Sequence, residues 1–415
     1  MGHHTAPANL GPASALTCRE CGETYDLGPH YACEQCFGPL EISYDFGAPT
    51  RADIEAGPRN IWRYRGLLPV PPNVAETPNT EPGLTRLVRA DHLAESLGME
   101  RLWVKDDSAN PTHSFKDRVV AVALAAAREL GFKVLACPST GNLANAVAAA
   151  AARAGIRSAV FVPADLETQK IITTAVYGGL FVTVDGNYDD VNRLASEIAG
   201  ERDDWAFVNV NVRPYYAEGS KTLGFEIAEQ LGWRLPDQIV VPVASGSQLT
   251  KIDKAFRELV ALGLVEDRPY KVFGAQAAGC APVAAAFKEG HDVVRPVRPD
   301  TIAKSLAIGN PADGPYVLDV VRRSGGAVEE VTDAEVVEGM RLLAQTEGIF
   351  GETAGGVTVA TLRKLVSTGR LDPAAETVII NSGDGLKTLD AVAQVVRPTA
   401  TIAPSLEEFR KAGLS

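Results

Sequence analysis

The chain has no apolar run long enough to cross a bilayer. Its longest, at 121–127 and 146–152, fall far short of the roughly 20 residues that a spanning helix needs. It also has no run of Lys or Arg, and 52 acidic against 40 basic residues leave a net charge of −12. Such a surface offers no footprint for a phosphate backbone. The opening MGHH lacks the charged start, apolar centre and small-residue cleavage site of an export signal. The expectation is a cytoplasmic protein that binds neither membrane nor nucleic acid. No internal repeat or low-complexity tract is present. What the chain does have is length and apolar content. Its 415 residues exceed the roughly 250–300 at which one core stops growing, so at least two domains are expected. A hydrophobic fraction of 46% with 22% charged residues is that of an ordinary globular protein.

Four of the six cysteines, Cys18, Cys21, Cys33 and Cys36, fall in one short window with the spacing C-x2-C-x11-C-x2-C. That spacing suits two knuckles, each giving two thiolates to one tetrahedral zinc. A disulfide framework is the competing reading, but a reducing compartment would not preserve it. Residues 1–46 therefore read as a zinc ribbon, too short to bury much core and stabilised by its metal. Cys137 and Cys280 lie in apolar or Gly-rich surroundings and read as buried small hydrophobes. Residues 66–83 are rich in proline without periodicity, which predicts an extended connection laid over a surface.

From about residue 102 short β-branched runs alternate with Ala-rich helical stretches. KVLACP, RSAVFVP, LFVTVD, WAFVN, QIVVPV, KVFGAQ and ETVIINS read as strands. This alternation predicts parallel sheets covered by helices on both faces, with ligands bound beyond the carboxyl ends of the strands. Four segments at such ends stand out. In NPTHSFKDR, Ser114 and Asp117 form a capping-box-like pair, which places Lys116 in the first turn of a helix. The helix dipole there favours the neutral amine, the form a nucleophile needs, although most first-turn lysines are solvated surface residues. Ser139, Thr140, Gly141 and Asn142 precede another helix and offer donors to an anion, with a plain helix cap as the alternative for Asn142. Ala244, Ser245, Gly246, Ser247 and Gln248 form a small-residue loop that would admit a phosphate monoester. Ser382 places a neutral hydroxyl at the end of the last strong strand.

Taken together, these segments resemble the fold type II pyridoxal-phosphate enzymes, and within them the threonine synthases of the branch with an N-terminal zinc ribbon. The resemblance runs from Cys18 to about Val396 and also takes in KSLAIGNPADG at 304–314 and FGETAGGVTVATL at 350–362. It implies a tryptophan synthase β-like α/β fold with two parallel-sheet domains behind the ribbon. The implied partition is 1–46 ribbon, 47–110 with 225–400 a large domain, 111–224 a small domain and 401–415 a tail. It further implies pyridoxal 5'-phosphate held as a Schiff base on Lys116, with Asn142 on the ring hydroxyl, residues 244–248 on the cofactor phosphate and Ser382 facing the ring nitrogen. A structural zinc would sit on Cys18, Cys21, Cys33 and Cys36.

The reaction implied is γ-elimination of phosphate from O-phosphohomoserine followed by β-addition of water to give threonine. Substrate phosphate needs a cationic partner, and NVNVRPYYAEGSKT at 209–222 resembles the family segment that supplies one. Relatives place an arginine directly before the EG step or one residue off it, whereas this chain has Tyr216 and Ala217 there and Arg213 earlier. Arg213, Lys221, Ser139 and Thr140 are the candidates. GDGLK also departs from the TGHGLK of many relatives and resembles the branch that includes cysteate synthase-like enzymes. The rival readings are thus β-replacement on phosphoserine or a Ser/Thr dehydratase, and, from a different class, a non-catalytic zinc-ribbon binder. A homodimer is the assembly the resemblance implies.

Overall fold

The computed structural model describes residues 8–139, 141–166 and 168–413. The chain starts with three antiparallel strands, β1 (Ala13–Cys18), β2 (Thr24–Tyr25) and β3 (Leu40–Tyr44), with β1 in the centre. Two knuckles extend from them and bring the Sγ atoms of Cys18, Cys21, Cys33 and Cys36 within 4.8 Å of one another. This unit does not stand alone. Leu16, Cys18, Cys33, Leu40 and Ile42 pack in one apolar cluster with Val119, Val120 and Ala123 of the helix Lys116–Glu129 and Val147 and Ala150 of the helix Asn142–Ala154.

Two further sheets follow. The first strands after the ribbon are β4 (Arg86–Arg89) and β5 (Leu102–Asp106). Next come β6 (Val134–Pro138), β7 (Arg157–Pro163), β8 (Leu180–Val184) and β9 (Trp205–Phe207), then β10 (Gln238–Pro242), β11 (Lys271–Ala277), β12 (Val328–Val331) and β13 (Thr377–Asn381). A four-stranded sheet has the order β8-β7-β6-β9 and a six-stranded sheet the order β12-β11-β10-β13-β5-β4. All neighbours are parallel except β4, which runs antiparallel on the edge beside β5. The seven expected strands are all present. Most are dominated by buried apolar residues, as strands covered on both faces are, whereas the edge strand β8 is largely exposed. β4, β5 and β12 were not expected, because their Arg, Lys, Asp and Glu residues break the apolar signature.

One expectation fails at residues 66–83. The segment begins on the end of the 3-10 helix Ile61–Leu67 and holds a second, Val74–Glu76, and Leu67, Leu68, Val70 and Val74 are buried in the largest apolar cluster. The prolines shape the path, but burial of these side chains decides where it runs. Among the described residues no helix is long and apolar enough to cross a membrane.

Candidate active site

Lys116 opens its helix, as expected, but Ser114 does not cap it. The capping position is Phe115, with no side-chain bond, and the buried Ser114 hydroxyl has no partner. The Asp117 carboxylate instead accepts from the Thr112 backbone N–H at 2.8 Å and the Thr112 hydroxyl at 2.9 Å. The segment before the helix is thereby free to pair with the loop after β13. Phe115 N–H donates to the Ser382 carbonyl at 2.9 Å, and Asp384 N–H to the His113 carbonyl at 3.0 Å. This short zipper sets Lys116 beside Ser382, although 266 positions separate them in the chain.

Lys116, Asn142, Ser382 and residues 244–248 line one pocket, so the structure brings together every residue the sequence offered for the cofactor. The local geometry explains why each faces it. Gly141, at φ +124°, precedes the helix Asn142–Ala154 and leaves Asn142 as its first residue rather than its cap. Ser139 supplies the cap in its place, its Oγ accepting from the N–H groups of Gly141 and Ala144, each at 2.9 Å. Gly246, at φ +99°, similarly ends β10's loop and starts the helix Ser247–Ala261 with its first N–H groups uncapped by any side chain.

Two residues that the sequence reading left without a role complete the pocket. Glu352 accepts from Asn142 Nδ2 at 2.8 Å through Oε2 and from the Ser382 hydroxyl at 3.2 Å through Oε1. Tyr216 accepts from Lys116 Nζ at 3.0 Å through its hydroxyl. Burial raises the Tyr216 pKa, so the phenol stays neutral and cannot fix the lysine as an ammonium. For Lys116 itself burial is the dominant cause, partly opposed by the Glu352 carboxylate, and it brings the pKa down to about 8. Glu352 carried a weak signal in FGETAGG; Tyr216 stood where an arginine was sought.

The pocket opens into a cleft of about 410 Å³ that is also lined by Ser139, Asn209 and Arg213. Arg213 Nη2 pairs with Asp313 Oδ2 at 2.8 Å. Thr140 lies outside the described residues. Lys221 is a correction. Its Nζ is fully buried away from this cleft and bonds Glu218 and Glu258, both at 2.9 Å, and the Leu67 carbonyl at 2.9 Å. A helical repeat turned it from the cleft into a buried charge cluster, where its two carboxylates hold it.

Several buried polar atoms around the pocket have no partner within the protein. They include Asn142 Oδ1, Ser247 Oγ, Gln248 Nε2 and Ser305 Oγ. Orphaned polar groups cost stability unless something binds them, and these line the same pocket as Lys116, a donor and acceptor set that fits a polar aromatic aldehyde with a phosphate arm.

A family model described as pyridoxal-phosphate dependent enzyme matches residues 79–383. The chain therefore belongs to the pyridoxal-phosphate dependent enzymes. Solved structures agree on the fold: threonine deaminase isoform 2 of Solanum lycopersicum matches with a TM-score of 0.62 at 20% identity, over 83% of this chain and 92% of that one. Maize serine racemase matches with a TM-score of 0.63 at 21% identity, over 84% and 98%. Within the family the relatives are more specific. The chain is 39% identical to the threonine synthase of Methanocaldococcus jannaschii over 90% of its own length and 93% of the relative's. It is 37% identical to that of Methanosarcina acetivorans over 96% and 98%. It is a member of the threonine synthase family, the pyridoxal-phosphate-dependent carbon-oxygen lyases of threonine biosynthesis.

The lowered Lys116 pKa has a direct consequence. Only the neutral amine attacks an aldehyde, and its fraction grows as pH rises through about 8. Cofactor-free protein mixed with pyridoxal phosphate is thus expected to regain the bound-cofactor absorption faster as pH rises from 7 to about 8.5, levelling off above. A rate still climbing steeply toward pH 10 would mean an unperturbed lysine.

Proposed function

We propose that this chain converts O-phosphohomoserine and water to threonine and phosphate in the cytoplasm. The reading is carried by one observation: Lys116 Nζ lines a pocket ringed by unpartnered polar atoms, and the cleft above it is walled by an arginine. When bound, pyridoxal phosphate supplies the electron sink for bond breaking beside the amino group. The protein's residues do the rest. Lys116, its pKa brought down by burial to about 8, takes a proton from the substrate and returns it at a neighbouring carbon. Tyr216 keeps the lysine's lone direction fixed without charging it. Ser382, its hydroxyl turned from Glu352, would offer the ring nitrogen a neutral donor in place of a carboxylate and so would leave that nitrogen unprotonated. Asn142 would meet the ring hydroxyl, and the N–H groups of residues 245–248 the cofactor phosphate. Arg213 would hold the substrate phosphate through its planar fork, with Asp313 orienting it. Residues 111–224 form the smaller unit around the four-stranded sheet in this reading, and 47–110 with 225–400 the larger.

The test is incubation of purified protein with O-phosphohomoserine while phosphate and threonine are followed, with O-phosphoserine and sulfite run in parallel. Product from the second reaction alone would overturn the substrate assignment. The ribbon is assigned one structural zinc. Sulfur separations of 3.5 Å for Cys18 and Cys36, 3.6 Å for Cys21 and Cys33 and 3.4 Å for Cys21 and Cys36 are close to the roughly 3.8 Å edges of a tetrahedron with 2.3 Å zinc–sulfur bonds. Metal analysis of reduced, freshly purified protein is expected to find one zinc per chain, and Cys36→Ser to lower that content. Zinc-free wild-type protein of full activity and stability would refute the assignment.

A further inference from the structure

The ribbon lies before residue 79, where the family match begins, so it is an addition to the common enzyme. Yet its second knuckle reaches the cleft. Tyr31 and Phe37 line the cleft together with Lys116 and Arg213, and both are strongly exposed, Tyr31 at 62% and Phe37 at 83%. The two knuckles make an internal comparison possible. The residue after the second cysteine of the first is Gly22, at φ +78°, and its counterpart in the second is Phe37, at φ +59°. The turn thus demands a left-handed backbone at both places, and glycine meets that demand without strain. The second knuckle carries a phenylalanine there, a residue that loses stability from its backbone and gains little from burial. Such an outlier points toward function.

The ribbon that carries this knuckle is held firmly, through β3, the first knuckle and the turn at Gly28, against the elements that build the site. Glu41 and the Ile42 carbonyl on β3 bind Lys251 and Lys254 of the helix that starts at Ser247. Glu20 accepts from the Tyr316 hydroxyl, and the Arg19 guanidinium stacks 3.5 Å from the Tyr316 ring centroid, on the helix Gly314–Ser324 just after Asp313. The Gly28 carbonyl accepts from the Tyr215 hydroxyl at 3.1 Å, next to Tyr216. A surface that merely trailed from the fold would not be tied to three elements of one site.

We propose that this knuckle is the outer wall of the substrate cleft, with Phe37 and Tyr31 as specificity-determining residues that close over the carbon chain of a phosphorylated amino acid. The proposal rests on the reading of the cleft given above. Phe37→Gly removes the ring and relieves the backbone, so the variant keeps the fold, with a melting temperature equal to or above that of the wild type. Its KM for O-phosphohomoserine is expected to rise about fivefold or more with kcat within about twofold, since the ring touches substrate and not the reacting atoms. Tyr31→Ala acts in the same direction. Rapid-mixing titration of the cofactor's absorption supplies a readout apart from turnover, and its midpoint shifts with KM. Zinc content stays at the wild-type level in both variants. Wild-type protein that turns over no O-phosphohomoserine would sink the substrate assignment and leave this one testable, because the same titration with O-phosphoserine reports occupancy of the cleft. Midpoints within about twofold of wild type in both variants, with zinc retained, would overturn the wall.

Discussion

Replacement of Lys116 by arginine is expected to lower turnover by at least about three orders of magnitude while leaving the fold intact. Two separate functions are lost in the same side chain. A guanidinium cannot form the imine that anchors the cofactor, and it cannot deprotonate to serve as a base in any accessible pH range. The structure adds why no neighbour can substitute. The other polar side chains around the pocket are a neutral phenol, five serine hydroxyls, two amides and the Glu352 carboxylate, which is already engaged by Asn142 and Ser382. Phosphate release measures the loss, and borohydride trapping with peptide mapping of the wild type measures the anchoring. Label on a lysine other than Lys116, or an active Lys116→Arg variant, would refute the assignment.

Glu226→Ala is expected to destabilise the protein by about 3–5 kcal/mol, the cost of breaking a buried ion pair and leaving two cations to one carboxylate. Arg118, two residues after Lys116, is fully buried, with Nη1 2.5 Å and Nη2 2.8 Å from the Glu226 carboxylate. Its other edge binds Asp107 at 2.8 Å through both Nε and Nη2, and Lys105 Nζ lies 2.6 Å from Glu226. These contacts clamp the helix that carries Lys116 to the end of β5 and to the helix Lys221–Gln230. Removing Glu226 leaves the two buried cations, Arg118 and Lys105, with Asp107 as the one carboxylate still paired in the cluster, where water cannot reach them.

The pH dependence follows from the same cluster. Burial alone would raise the Glu226 pKa, but Arg118 and Lys105 outweigh it and hold the carboxyl at about 2, against an ordinary 4.5. A group depressed in the folded state stabilises it above the unfolded value, and this contribution is lost as pH falls from about 4.5 toward 2. Urea unfolding of wild type should show that acid component and the Glu226→Ala variant should lack it. A loss below about 1 kcal/mol at pH 7 would mean that the cluster is hydrated and not the clamp described.

The legible part of this protein was the part written in short segments. Lys116, Asn142 and residues 244–248 each sit where a strand's loop meets a helix start, and that local grammar survives any change elsewhere in the chain. The four cysteines were legible for the same reason, since both knuckles close within a few residues. Ser114 failed as a cap because backbone pairing with Gly383, far along the chain, competed for its segment. Lys221 failed because a helix spacing says nothing about which side of the helix meets a pocket. Tyr216 gained its role from a partner 100 positions away, and Glu352 from partners 210 and 30 positions away.

By itself, then, the sequence determined the alternation of strands and helices, the lysine in the first turn of its helix, the small-residue loop at 244–248 and the paired cysteine spacing, because each depends on neighbours in the chain. Only the tertiary structure decided that Glu352 bridges Asn142 and Ser382, that Lys221 is a buried structural cation, and that Phe37 of the ribbon faces the same cleft as Lys116. Those facts depend on which distant surfaces exclude water together, and burial of that kind is a property of the packed whole.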